Sequence, residues 1–220
     1  FVFLMVMFIL MIVGIIYVEQ GQRRIPIQFA KRVRGRKVMG GQSTYIPLKV
    51  NSAGVIPVIF ATSILFFPAL VATSLPQDNN VTAAIRNWID INLANSQGTT
   101  WFYVFFLGIL IIFFTYFYTT IQFDPVRQSD MIRRQGGFVP GVRPGISTTN
   151  YLSHIINRIT LPGSVFLASV AVLPSIASVI WDIPLGFSGI SILITVGVAL
   201  ETMKQIESQL SMRNYEGFID

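Results

Sequence analysis

The chain has 220 residues, 52% of them hydrophobic and 12% charged, with a formal net charge of +6 and no cysteine. Its mean hydropathy of +0.62 is too apolar for a water-soluble domain, which would need a more polar surface. The lack of thiols excludes disulfides and thiolate metal sites.

A hydrocarbon core about 30 Å thick calls for roughly 20 apolar residues per helix. Five segments come near that length: residues 1–18, 50–75, 100–123, 159–180 and 185–203, the last limited by Glu201. The chain opens on Phe1 already inside an apolar run, with neither a basic leader nor a small-residue cleavage site. It therefore reads as a fragment that begins within or just before a membrane span.

Residues 19–49 form a loop too long for a plain connection. Arg24-Ile25-Pro26-Ile27-Gln28-Phe29 alternates in part, as a strand does, and Ser43-Thr44-Tyr45-Ile46-Pro47-Leu48 is a candidate partner. Between them Lys31-Arg32-Val33-Arg34-Gly35-Arg36-Lys37 predicts a basic tip turning at Gly35. A projecting finger follows. The second span, 50–75, holds Pro57 and Pro68, each expected to bend it. Asn51, Ser52, Thr62 and Ser63 are its expected polar face, on a helix that either moves or merely tolerates its prolines.

In the connection 76–99, Ala84, Ile85, Trp88, Ile89 and Leu93 recur at helical spacing. They predict a short amphipathic helix at the outer interface, with Trp88 at headgroup level and Trp101 and Trp181 in the same aromatic belt. In 124–158, Asp124-Pro125 predicts a helix start that runs through Arg134 and stops at Gly136-Gly137. Two Pro-Gly turns, Pro140-Gly141 and Pro144-Gly145, bracket Arg143 and predict a stiff loop presenting it. Ser147 or Thr148 is the expected cap of the next helix. The tail, 204–220, is mixed in charge.

Loops 19–49 and 124–158 carry 13 of the 16 Lys and Arg residues. The positive-inside rule then places both loops and the tail in the cytoplasm and the start outside. Five spans with ends on opposite sides make an odd unit, as half of a larger two-part protein would. The concentrated positive charge points to an acidic or anionic partner, anionic lipid included.

No catalytic constellation is visible. His154, the sole histidine, reads as a surface or interface residue, and no His, Asp and Glu residues fall at metal-ligand spacing. The glycines around Gly136 and Gly141 match no phosphate-binding fingerprint. No charge lies deep within a span, which disfavours an ion relay. The expected class is non-enzymatic, with no cofactor.

Arg23-Arg24-Ile25-Pro26-Ile27-Gln28, the run from Gln42 through Asn51 into Ala53-Gly54-Val55-Ile56-Pro57, and Gly137-Phe138-Val139-Pro140-Gly141-Val142-Arg143-Pro144-Gly145 together resemble the C-terminal half of the bacterial SecY family. The resemblance covers the sixth to tenth helices of that family's channel. It implies an all-α membrane protein, one half of an inverted-repeat, ten-helix channel for unfolded preproteins and for membrane helices. It implies pore-ring roles for Ile59 and Ile194, and a lateral-gate seam at Asn51, Thr62 and Ser63. Arg143, then Arg34 and Arg36 with Arg32 and Lys37, would dock the motor ATPase SecA or the ribosome. Further implied partners are SecE, SecG, a preprotein or signal sequence, and the N-terminal half of the same protein. The implied location is the bacterial cytoplasmic membrane. Two rivals stay open: half of an inverted-repeat small-molecule transporter, and a scaffolding membrane subunit.

Overall fold

Seven helices and five strands follow from these patterns in a computed structural model that describes residues 2–29, 32–34, 37–39, 43–74, 80–93, 100–181 and 188–216. In chain order they are α1 (Val2–Gln20), β1 (Gln22–Phe29), β2 (Arg32–Arg34), β3 (Lys37–Met39), β4 (Ser43–Lys49), α2 (Ile56–Thr73), α3 (Asn80–Asn92), α4 (Trp101–Gln122), α5 (Pro125–Arg134), β5 (Gly137–Phe138), α6 (Ile146–Trp181) and α7 (Gly189–Glu216). Among them α1, α2, α4, α6 and α7 are long and apolar enough to cross a bilayer. Over its apolar stretch each is hydrophobic nearly all round, so packing within the chain covers a stripe and leaves the rest exposed. In α1 the stripe is Met7, Met11 and Ile15, while Phe3, Ile9, Leu10 and Val13 face outward.

α4 lies between α2 and α6, and α1 rests on α7 and α6. Leu65, Leu107, Ile111, Leu167 and Leu193 form the centre of this bundle. Buried hydroxyls bond their own helix: Thr115 donates to Ile111 O at 2.7 Å and Thr160 to Ile156 O at 2.9 Å. No polar hydrogen on them is stranded in an apolar medium.

The two basic loops are one body, although their sequences read as separate. β1 pairs antiparallel with β4, and β5, more than a hundred residues later, pairs with the other edge of β1, Gln28 opposite Phe138. Ile25, Ile27 and Leu48 from the sheet, Ile132 from α5, Val139, and Leu152 and Ile155 from α6 bury together as a second core. Burying side chains of this size contributes about 1.5–3 kcal/mol each, enough to hold a small sheet that would be marginal alone. Beyond β1, β2 and β3 pair as a separate ribbon.

Several expectations are corrected. Pro57 falls in the first turn of α2, where a missing N–H costs nothing, so it starts the helix and does not bend it; Pro68 alone is interior. Residues 50–55 precede α2 and are not helical. The helix after Arg143 and the fourth span are one continuous α6, with Pro162 and Pro174 inside it. α7 runs on to Glu216, through most of the residues read as a tail. Neither Ser147 nor Thr148 caps α6, which begins at Ile146 directly after Gly145.

Candidate pore flank and docking face

The candidate docking face is built on the sheet and α5. Asp124 caps α5, its Oδ1 accepting from Val126 N at 2.9 Å and Arg127 N at 3.3 Å. After β5 the chain makes a tight turn, with Val142 N bonded to Val139 O at 3.1 Å. Gly141 (φ +83°) and Gly145 (φ +107°) take conformations that side chains disfavour, and so let the loop double back on each side of Arg143. Two hydroxyls fasten it: Thr148 Oγ1 donates to Arg143 O at 3.0 Å, and Ser129 Oγ of α5 donates to Gly145 O at 3.1 Å. Backbone fixed and side chain exposed, Arg143 is offered to a partner at low ordering cost.

Arg23, Arg24, Lys49, Arg127, Arg133, Arg134 and Arg158 are also exposed in this body. Among the described residues none of these cations is in an ion pair; the one such pair is Arg86–Asp90, at the far end of the bundle. An open groove of about 590 Å³ runs along α5, lined by Asp124, Val126, Arg127, Asp130, Met131, Arg134 and Gln135. Its mixture of both charges with exposed Val126 and Met131 suits a protein segment better than a phosphate backbone. On the finger, Arg34 lies opposite Lys37 and Arg32 opposite Met39. Arg36 and Gly35 lie outside the described residues.

The second candidate surface runs between α2 and α7. A Cβ placed on Gly197 would lie 3.5 Å from Val55 Cγ1, so the Val55 side chain meets α7 there in ordinary van der Waals contact. Two turns further along, a cavity of about 370 Å³ is lined by Thr62, Ser63, Leu65 and Phe66 of α2, Ile190 of α7, Leu93 and Tyr103. Ile59 lies between Val55 and Thr62 in sequence, and Ile194 between Gly197 and Ile190. With a rise of about 1.5 Å per residue on antiparallel helices, both fall at the same depth. Ile59 is 42% exposed and Ile194 half-buried, so neither belongs to the packed centre.

Thr62 and Ser63 share the seam but bond inward: Thr62 Oγ1 to Ile59 O at 2.9 Å, Ser63 Oγ to Ile59 O at 2.8 Å. Asn51 is not with them. It is buried (4% exposed) before α2, where its Nδ2 donates to Glu19 Oε2 at 3.0 Å and Gly54 O at 3.3 Å. Its place is the junction of α1, finger and α2. Sequence reasoning missed Glu19, Ser129 and Thr148 as fasteners, because nothing local marks their distant partners. Among the described residues no cluster of His, Asp and Glu gathers as metal ligands do.

These features define a multi-span membrane bundle with one polar, cationic end and an apolar seam along one flank. A family model described as SecY matches residues 1–203. The chain is 51% identical over 217 residues to protein translocase subunit SecY of Streptomyces scabiei, covering 96% of this chain and 47% of that protein. It is 47% identical over 219 residues to the same subunit of Mycobacterium tuberculosis strain H37Rv, covering 96% and 49%. A solved SecY chain, reported for a plug domain that stabilises the closed translocation channel, superposes with a TM-score of 0.57 at 19% identity, over 93% of this chain and 49% of that one. A solved protein-conducting channel does so with a TM-score of 0.51 at 16% identity, over 91% and 47%; at these identities the likeness is one of fold. The chain belongs to the SecY family, and it spans about half the length of the curated relatives it matches.

Proposed function

We propose that this chain supplies one flank of a protein-conducting channel, moving unfolded preproteins across the cytoplasmic membrane and membrane helices into it. What supports this reading is the contact of Val55 with Gly197 on one side and the cavity shared by Thr62 and Ile190 on the other, between which counting residues along the two helices sets Ile59 and Ile194 at a similar depth. Branched apolar side chains at a constriction exclude water and ions when it is closed, and offer a passing peptide no fixed hydrogen bond. Thr62 and Ser63, their hydroxyls spent on their own helix, leave the α2 side of the seam without a polar grip on lipid or on a departing apolar helix. That suits a lateral gate. Asn51 serves it only indirectly, by holding the base of α2.

In this reading residues 19–49, 124–158 and 204–220 are cytoplasmic, as the Lys and Arg imbalance requires. Arg143 and the exposed cations around it dock the motor SecA or the ribosome, with Arg32, Arg34, Arg36 and Lys37 as a second contact. The role is docking and activation; ATP chemistry belongs to the motor. SecE, SecG and the N-terminal half of the channel cover parts of the exposed apolar surface, and anionic lipid meets the basic face.

The test is photocrosslinking from probes at 59 and 194 in the full-length protein, with a preprotein stalled in transit. Both positions should capture the stalled chain, and lipid-facing Phe105 should not. Capture at 105 and at neither isoleucine overturns the proposal.

A further inference from the structure

α3 is amphipathic in the opposite sense to a helix on a water-facing surface. At 3.6 residues per turn, Val81, Ala84, Ile85, Trp88 and Ile91 occupy one arc of about 120°, and all of them are exposed. The charged pair is on the other side: Arg86 Nε and Asp90 Oδ2 are 3.8 Å apart, and both side chains are partly covered. Thr82 and Ile89 are half-buried on that side too, and Leu93 packs on the bundle core. A water-facing helix turns its charges outward and its apolar stripe inward.

The arc continues an existing apolar surface. The Trp88 ring meets Phe102 of α4 edge-on at 5.7 Å, and Phe102 stacks on Phe106 at 5.9 Å. Beside them Phe105, 67% exposed, faces outward from a helix long and apolar enough to span the bilayer. Phe66 and Phe67 extend the same exposure on α2. Whatever medium wets these phenylalanines also wets Trp88 and Ile85.

We infer that α3 is seated in the membrane, its apolar arc at the boundary between acyl chains and headgroups of the leaflet remote from the basic loops. The ligand is lipid, bound by area and by the indole at the interface. Two ties pass this seating to the neighbouring spans. Thr100 Oγ1, at the start of α4, donates to Ile91 O at 2.9 Å. Leu93 lines the cavity it shares with Thr62 and Ser63. The depth of α3 therefore sets the height of α4 and the outer end of α2.

Because the chain has no cysteine, Val81→Cys, Ile85→Cys, Arg86→Cys, Trp88→Cys and Asp90→Cys can each carry a nitroxide in the full-length protein, otherwise free of cysteine, in vesicles of phosphatidylethanolamine and phosphatidylglycerol. The measurement is collision with oxygen, which concentrates among acyl chains, against collision with a water-soluble nickel chelate. The oxygen-to-nickel ratio should be several-fold higher at 81, 85 and 88 than at 86 and 90. Equal access of nickel at 85 and 88 means a water-facing helix, and exclusion of both reagents there means a protein cover; either result overturns the inference. A second readout leaves α3 native: with Trp101→Phe and Trp181→Phe, and no other tryptophan in the protein, Trp88 fluorescence should be quenched by phospholipids brominated near the headgroup end of the acyl chain. An unquenched Trp88 overturns it equally.

Discussion

The side chain of Asn51 donates a 3.0 Å hydrogen bond to the carboxylate of Glu19, 32 residues earlier, and so ties the end of α1 to the approach to α2. Val50 N bonds Gly21 O at 3.0 Å beside it, which closes the base of the finger with a backbone link as well. The cationic sheet-and-α5 body and the bundle are thereby held to one frame.

Replacing Asn51 by leucine should remove about 1–3 kcal/mol of stability, since Glu19 then loses its amide donor at a partly buried site. Asn51→Asp should cost more, because it sets two carboxylates against each other. Ser52→Ala, which removes only an exposed bond to Lys49 O, should stay within about 0.5 kcal/mol. Thermal melts in detergent check the order. Equal melting temperatures for all three variants would remove the tie from the account.

How much of this was legible depends on the range of each signal. Alternation of Ile25 and Ile27 with polar neighbours is local, and it located β1; β4 followed as its partner. The Asp124-Pro125 cap is local too. β5 is two residues, Gly137 and Phe138, and its pairing reaches back to Gln28 and Phe29; so short a strand has no period to read. Pro57 is ambiguous in sequence, because a proline at the first turn and a proline at a bend look alike until the helix start is known. The depth match of Ile59 and Ile194 depends on Gly197 passing Val55, a contact between distant segments that periodicity cannot express.

Gly163 of α6 lies against the base of the finger so closely that a Cβ there would be 2.7 Å from Val50 O. A carbonyl in the backbone cannot swing aside as a flexible side chain does. Gly163→Ala should cost about 1–3 kcal/mol by overpacking, whereas Gly108→Ala, whose Cβ meets only Val172 Cγ2 at 4.0 Å, should be neutral or stabilising. Paired melts in the same detergent decide it.

Arg143→Glu should abolish motor-driven export in reconstituted vesicles and leave membrane insertion of the protein intact, since its side chain is exposed. Gly141→Ala should give a weaker form of the same defect. It keeps the charge but forces a Cβ into a left-handed conformation at φ +83°, costing about 1–2 kcal/mol and displacing the loop. If Gly141→Ala exports normally while Arg143→Glu does not, charge matters and loop geometry does not. Normal export by both variants removes the docking role.

Ile59 and Ile194 give the sharpest test because the prediction concerns their coupling. Replacing either by serine puts a hydroxyl where a branched hydrocarbon stood, which favours water in the constriction and should raise the ion conductance of the full-length protein in planar bilayers. Folding should suffer little, because Ile59 is 42% exposed and Ile194 is outside the packed centre. If the two line one constriction, the first serine already wets it, and the second adds to a barrier that is partly gone. The effects on log conductance should then fail to add, as expected for side chains that share surroundings. If each isoleucine merely faces lipid, the single variants conduct as the parent does and the double variant does too. Additive increases would mean two separate leaks, and would break the link between the Val55–Gly197 contact and a common pore.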